Sequence, residues 1–446
     1  MAAPQDKNSV NTSSWRFALR ALSHRNYRLF FSGQSISLIG TWMTRLATSW
    51  LVYQLTNSAF LLGFIGFAGQ VPVFILSPVT GVWVDRLNRH KVLVVTQILS
   101  MIQSFWLAAL ALTHRITFWD IFWLSIFQGT INSFDMPARQ AFVTQMVEAR
   151  EDLPNAIALN SSMVNASRLI GPSLAGLVIA WVGEGWCFFI DGASYIAVIF
   201  SLLLMKVTVQ QAARKRESVV TELREGWRYV AHFPPIRAIL LLLAVVSLFG
   251  MPYTVLMPIF ARDVLHGGAH TLGFLTGAIG IGALVSAAYL ATRKSVLGLG
   301  RVIPIVTVIF GASLVAFGFS HWLALSMILL LFSGFGMMQQ MAASNTILQT
   351  IVEEDKRGRV MAFYSMAIVG MSPFGSLFAG EVAAHIGAPE TVMISGAVCI
   401  TGALVFLKQL PTIRAMIRPI YVRLGILPEM ATGVQQASNL QSTLER

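Results

Sequence analysis

The chain has 446 residues, of which 55% are hydrophobic and only 12% are charged. Soluble domains carry about 25% charged residues, so this composition excludes a soluble globular protein and indicates a chain that crosses a membrane many times. A net charge of +12 can indicate nucleic-acid binding, but the positions of the basic residues argue against such a partner.

A membrane-spanning helix needs about 20 mostly apolar residues, and the sequence contains twelve stretches of this kind. They predict an all-α membrane protein with 12 transmembrane helices in two six-helix bundles. The predicted spans are 28–53, 59–83, 92–113, 118–138, 156–182, 185–205, 237–260, 272–291, 302–320, 322–343, 360–386 and 389–407. The predicted regions are an N-terminal tail (1–26), a first bundle (27–205), a linker (206–236), a second bundle (237–407) and a C-terminal tail (408–446).

Lysine and arginine are distributed unevenly between the two sides of the predicted spans. The tails and the even-numbered loops, counted together with Arg28 and Arg237 at the first residues of predicted spans 1 and 7, hold 28 of the 32, whereas the odd-numbered loops hold two, Arg115 and Arg262. Because cytoplasmic loops carry the excess of basic residues, we predict a bacterial inner-membrane protein with both termini in the cytoplasm. The basic residues then face anionic lipid headgroups, so membrane lipids are expected partners and nucleic acid is not. Residues 412–427 are expected to form either an amphipathic helix on the inner leaflet or a disordered tail.

The segment between predicted spans 2 and 3, residues 81–91, is short, charged and led by a glycine. It resembles the signature loop of major facilitator superfamily transporters, in which a glycine is followed, after three residues, by Asp-Arg and a basic run. The matching residues are Gly81, Asp85, Arg86 and Arg89. The resemblance implies that Asp85 stabilises the state with a closed cytoplasmic side, with Arg139 and the N-terminal end of predicted span 11 as its partners. The alternative is an ordinary basic loop with one incidental acid.

The chain also repeats itself. Residues 171–183 align with residues 375–387 at an offset of 204, and six of the thirteen positions are identical. This repeat predicts that the two halves are copies of one six-span unit in the same orientation, with a substrate site at the membrane midplane between them. The alternative is that both helices merely share small packing residues.

Predicted span 5 carries Gly171, Pro172 and Gly176, which resemble the Gly-Pro element of drug/proton antiporters. The proline kinks the helix and the small residues allow a neighbour to approach closely. The resemblance implies export, while ordinary small-residue packing is the alternative. The arginine that such antiporters carry on span 4 is replaced by Ser125, so we expect any proton coupling to depend on other residues.

Three further runs, at residues 135–141, 151–160 and 168–172, resemble the branch that contains enterobactin exporters and is called the transmembrane secretion effector family. The resemblance covers about residues 20–410. It implies a monomeric secondary-active transporter that exports an amphiphilic small molecule (a drug, macrolide or siderophore) by proton antiport with alternating access. An importer or lipid flippase on the same fold is the alternative, and a membrane enzyme or non-transporting receptor is the third class.

Ionisable residues inside the predicted spans are candidates for cavity or coupling roles, because an unpaired charge in the bilayer costs at least about 2.5–3.5 kcal/mol. We single out Arg45, Arg168, Asp191 and Glu381 as the candidates. For Arg168 a cavity or gating role is favoured over a structural ion pair. For Glu381 a solvated helix end is favoured. Arg45 and Asp191 reach similar depths in spans 1 and 6, which leads to the hypothesis that they form an ion pair.

Other chemistry has no support in the sequence. No Gly-Lys dipeptide occurs, so there is no nucleotide-binding P-loop. The eight histidines and the two cysteines, Cys187 and Cys399, have no metal-ligand or redox spacing. We therefore expect no enzymatic activity, no cofactor and no metal site.

Overall fold

The computed structural model describes residues 19–147, 149–205, 219–293 and 295–426, and every regular element in these ranges is a helix. The predicted tails and linker lie partly outside them. The main helices are α1 (Arg25–Thr56), α2 (Ala59–Arg86), α3 (Arg89–Leu112), α4 (Phe118–Met146), α5 (Leu153–Val182), α6 (Glu184–Leu203), α7 (Val219–His232), α8 (Pro234–Val264), α9 (Ala269–Thr292), α10 (Leu299–Gly318), α11 (Leu323–Ile351), α12 (Glu354–Ile386) and α13 (Ala388–Arg423). Helix α8 contains π-helical turns at Val246–Gly250 and Phe260–Val264, and α12 contains one at Met366–Gly370.

Ten of the described helices are long and apolar enough to cross a membrane. They are all of the main helices except α1, α4 and the short α7. Helices α1 and α4 have 32 and 29 residues, which is ample length, but they are more polar. Arg45 lies on α1, and Asp135 and Arg139 lie on α4. The prediction of an all-α, multi-pass membrane protein is confirmed, and the count of twelve spans stays a prediction.

Several helices extend beyond the ends that hydropathy predicts. Helix α4 continues from 138 to Met146, α11 from 343 to Ile351, and α13 from 407 to Arg423. Hydropathy detects only the apolar part of a helix, and polar residues continue the helix once it has left the apolar layer. The predicted boundary at 407 therefore lies inside a continuous helix, and residues 412–423 are not a separate element.

All of these extensions lie at one end of the helices. We call this end the basic face; it carries the last residues of α2, α4, α6, α9 and α11. The other end, the opposite face, carries the connections 57–58, 113–117, 183, 265–268, 319–322 and 387. These two names describe the molecule itself and assign neither end to a cell compartment.

The helices pack in two sets, α1–α6 and α8–α13. Within the first set, α1 contacts α5 and α6, and α4 contacts α2 and α3. Within the second, α11 contacts α9 and α10, and α13 contacts α8 and α10. The main contacts between the sets are α5 with α9 and α2 with α12. If α1–α6 correspond in order to α8–α13, these two contacts are equivalent, which is the pattern that an internal repeat produces.

The helix α7 lies between the two sets in sequence and docks on the second. The Nη1 atom of Arg359 donates to Oε2 of Glu225 at 2.8 Å. The ammonium group of Lys356 lies 5.0 Å from the centre of the Tyr229 ring. These contacts hold the described part of the predicted linker against the beginning of α12.

Candidate functional site

Two arginines from different helices lie over the same tryptophan. The guanidinium carbon of Arg45, on α1, is 4.8 Å from the centre of the Trp42 ring, and that of Arg168, on α5, is 5.5 Å from it. Both distances are within the range of cation–π attraction. Gly171 permits this approach of α1 and α5, since a Cβ atom at that position would lie 2.5 Å from Cβ of Trp42. We call Arg45 and Arg168 the arginine pair.

Neither arginine of this pair forms a hydrogen bond or ion pair with another residue in the part of the chain that the structure describes. Arg45 is exposed, and Arg168, midway along α5, is half-buried. The guanidinium nitrogens of Arg168 are not among the buried polar atoms that lack a partner, so they reach accessible space. The N–H donors of the pair are therefore available to a molecule from outside the protein.

The arginine pair faces the second set of helices. Arg168 lies close enough to Tyr253 of α8 to interact with it electrostatically. The Tyr253 side chain is buried. The pair therefore lies between the two halves, where the sequence repeat predicts the substrate site.

Asp191 does not pair with Arg45, so that hypothesis is wrong for this structure. The carboxylate is 2% exposed, and its Oδ2 accepts hydrogen bonds from Thr44 Oγ1 and Ser104 Oγ, each at 2.9 Å. Its Oδ1 has no hydrogen-bond partner among the described residues. The reason is helix rotation: consecutive residues point about 100° apart, so when Thr44 faces α6, the next residue, Arg45, faces away from it. The inference that Arg45 and Asp191 lie at similar depths was correct, but similar depth does not mean that the two side chains point toward each other.

Three carboxylates are buried among the described residues, and only two of them contact a cation. Asp152 forms ion pairs with Arg20 and His24. Asp135 contacts Arg139 and also accepts hydrogen bonds from the side chains of Thr96 and Gln97, at 3.0 and 2.8 Å. The third buried carboxylate is that of Asp191, which contacts the hydroxyl groups of Thr44 and Ser104 and no cation.

The residues of the signature loop lie at the end of α2, in the short turn that follows and at the start of α3. Helix α2 continues to Arg86, so Gly81 lies in its last turns, where an added Cβ atom would meet nothing within 4 Å. Asn88 has φ −71° and caps α3 by accepting from the backbone N–H of Lys91. Arg86 is exposed, and Arg89 begins α3. The side chain of Asp85 lies outside the described part of the structure, so its predicted contacts stay predictions.

Two other predicted residues do not join the arginine pair. Arg139 contacts Asp135 one turn earlier on α4. Glu381 is exposed near the opposite face, with its Oε1 3.6 Å from Nδ1 of His385. In the described ranges, no three histidine, cysteine or acidic side chains cluster as ligands for a metal ion.

Among the described residues, two side-chain hydrogen bonds join the halves, and both lie at the opposite face. The Tyr53 hydroxyl, on α1, donates to Asp263 Oδ2 of α8. Arg262 donates from Nη1 to Asn57 Oδ1 at 2.6 Å, and its guanidinium carbon lies 5.6 Å from the centre of the Tyr53 ring. We call these four residues the opposite-face lock. These contacts join the two halves at that end.

Sequence reasoning missed three features of the site. Trp42 was not identified, because no local pattern distinguishes a tryptophan that lies under two arginines from one that packs in a core. Tyr253 was missed for the same reason. The Asp135–Arg139 pair had a readable signal, since an acid and a base four residues apart meet on one side of a helix.

Comparison with known proteins gives a consistent result. The sequence profile of the family described as "Transmembrane secretion effector" matches residues 16–420. The staphyloferrin A transporter of Staphylococcus aureus is 25% identical over 86% of this chain and 96% of its own. The multidrug efflux pump Tap of Mycolicibacterium fortuitum is 24% identical over 79% and 88%. The enterobactin exporter EntS of Citrobacter koseri is 24% identical over 92% and 98%. These relatives are transporters and not enzymes.

Solved transporter structures share the fold at low sequence identity. A transporter of the POT family has a TM-score of 0.71 at 13% identity and covers 87% of this chain and 96% of its own. A bacterial homologue of the iron transporter ferroportin, solved in an inward-facing state, has a TM-score of 0.65 at 16% identity, with coverages of 86% and 98%. Because the family profile matches most of the described helices, the predicted resemblance is confirmed: the chain belongs to the transmembrane secretion effector family of the major facilitator superfamily.

Proposed function

We propose that this protein is a secondary-active exporter of an amphiphilic small molecule, driven by proton antiport and working by alternating access. The observation that carries the proposal is a pair of charged side chains, Arg45 and Arg168, that have no hydrogen-bond or ion-pair partner among the described residues and are accessible between two halves joined at one end. A transporter needs such a space, open to one side of the membrane at a time. The relatives named as an enterobactin exporter and a multidrug efflux pump support export over import.

The proposal includes an orientation. The 28 basic residues of the tails and even-numbered loops place the basic face in the bacterial cytoplasm. The opposite-face lock then closes the periplasmic side, and the described conformation is the inward-facing one. We further propose twelve spans in two bundles, 27–205 and 237–407, that work as a monomer.

Proton coupling requires a group that can bind and release a proton within the span. Asp191 is our candidate, because it is buried and contacts only the hydroxyl groups of Thr44 and Ser104. One of its two hydroxyl donors, Thr44, precedes Arg45 directly on α1. A change at Asp191 is therefore transmitted to the arginine pair by α1.

The first experiment compares a deletion strain with its parent for drug sensitivity and siderophore secretion. Greater sensitivity or weaker secretion supports export, whereas reduced uptake supports an importer. The molecule identified in this way is then offered to everted membrane vesicles. We expect accumulation that an uncoupler abolishes. Full accumulation with the proton gradient collapsed, and with ATP or sodium supplied, would exclude proton antiport.

A further inference from the structure

We propose that the transported molecule is an organic anion, and that the arginine pair binds its carboxylate or other acidic group. This inference rests on the proposed transport function and adds the charge class of the substrate. It stands on the geometry of the two guanidinium groups, their accessibility and the positions of the surrounding acids.

The first step concerns the donors. A guanidinium group that lies over an aromatic ring uses its face for that contact, which leaves the N–H donors at its edge free. Arg45 and Arg168 both lie over Trp42 and donate to no described residue. Guanidinium edges match the geometry of carboxylate and phosphate oxygens. Trp42 acts here as a positioning residue, since it holds two such edges near each other.

The second step concerns charge balance. Arg45 and Arg168 interact electrostatically with each other, and two like charges inside a protein repel strongly. Of the buried acids, Asp135 and Asp152 already contact other cations. Asp191 can balance at most one of the two positive charges, and it is held on the side of α1 that faces α6. The other groups near the pair are the neutral Tyr195 and Tyr253. A bound anion would supply the missing negative charge.

The third step concerns the alternatives. A structural ion pair or helix-to-helix hydrogen bond for either arginine would require a carboxylate or carbonyl partner, and neither has one in the described ranges. A cationic substrate would be repelled by both arginines as it approached. An anion with an apolar body fits both the charge and the surrounding aromatic side chains of Trp42 and Tyr253.

The test uses the purified full-length protein in lipid nanodiscs and two probes that differ in charge but little in shape, naphthalene-2-carboxylate and naphthalene-2-carboxamide. Dissociation constants are measured by calorimetry. We expect the wild-type protein to bind the carboxylate about tenfold more tightly, because charge-assisted hydrogen bonds are roughly twice as strong as neutral ones. Arg45→Gln and Arg168→Gln should each remove most of this preference. The control Arg28→Gln, at an exposed position of the same helix, should keep it.

Equal affinity for the two probes, or no measurable binding of the carboxylate, would overturn the anion site. So would a preference that persists in both Arg45→Gln and Arg168→Gln. The wild-type comparison is decisive even if a variant fails to fold.

The proposed function fails in a different way. If the protein binds the carboxylate but moves no substrate in vesicles, the anion site stands and transport does not. If it exports a neutral or cationic drug equally well with Arg45→Gln, transport stands and the anion site does not.

Discussion

Gly176 of α5 and Gly273 of α9 meet backbone to backbone at the contact between the two halves. A Cβ atom on Gly176 would lie 3.0 Å from Cα of Gly273, and one on Gly273 would lie 3.1 Å from Cα of Gly176. Real Cβ atoms are rarely so close to a backbone atom, so both positions require glycine. The halves therefore touch here without side chains between them.

The same contact occurs a second time. A Cβ atom on Gly380 of α12 would lie 2.8 Å from Cα of Gly63 on α2. Gly176 and Gly380 are aligned positions of the sequence repeat, and Gly273 and Gly63 are each the fifth residue of their helix. The Gly-Pro element of predicted span 5 thus has a physical role: it forms one of two equivalent contacts on which the halves meet.

A larger side chain at the contact between Gly176 and Gly273 should push the two halves apart. We expect Gly176→Val to reduce transport several-fold and to lower the thermal midpoint, because overpacking of a close contact costs about 1–3 kcal/mol. Transport in vesicles and the thermal midpoint of the purified protein measure the two effects.

The matched control is Gly358→Val. Gly358 also lies in a helix, α12, but a Cβ atom there would meet nothing within 4 Å. Equal losses in the two variants would mean that the effect comes from valine in a helix and not from the contact between the halves.

Asp191 should control coupling more than binding. With Asp191→Asn, the neutral amide can still contact Thr44 and Ser104 but cannot release a proton. We expect uphill accumulation driven by a proton gradient to fall to background, while downhill exchange of substrate continues. Everted vesicles with and without the gradient measure both activities.

Glu354→Gln is the control for this change, because Glu354 is an exposed acid at the basic face. It should behave as the wild type. Proton-driven accumulation by Asp191→Asn at the wild-type level would remove Asp191 from the coupling step.

The orientation can be checked with reporter fusions. Fusions after Val220, in α7, and after Gly267, between α8 and α9, lie at opposite ends of the helices. From the charge distribution we expect the first to report a cytoplasmic location and the second a periplasmic one. A periplasmic signal at Val220 would contradict the proposed arrangement of two halves joined by a cytoplasmic linker.

The sequence was sufficient to predict the helical membrane fold, the superfamily and the repeat, because apolar length and recurring small residues are local signals. It also indicated that Arg45 and Arg168 were candidates for a cavity. It was not sufficient to pair them. Which residues of α1 face α5 and which face α6 depends on the rotation of each helix, and depth alone led to the incorrect pairing of Arg45 with Asp191.

Helix ends show a related limit. Beyond the apolar part of α13, polar and basic residues continue the helix to Arg423, and hydropathy cannot distinguish such a continuation from a separate surface helix. The Asp135–Arg139 pair differs, since its spacing on α4 was readable and was overlooked.

The last prediction concerns the opposite-face lock. Tyr53→Phe removes the hydroxyl group that donates to Asp263 and leaves the ring that Arg262 covers. A hydrogen bond of this kind contributes about 1 kcal/mol, which corresponds to a roughly fivefold shift in a two-state population. We expect the variant to open more often toward the opposite face.

A cysteine introduced at the half-buried Ser49 of α1 should then react faster with a membrane-impermeant maleimide added from the periplasmic side; both native cysteines are buried. Tyr289→Phe, at the basic-face end of α9, is the matched control and should leave the labelling rate unchanged. If Tyr53→Phe and Tyr289→Phe label at the same rate, the Tyr53–Asp263 contact does not hold the opposite face closed.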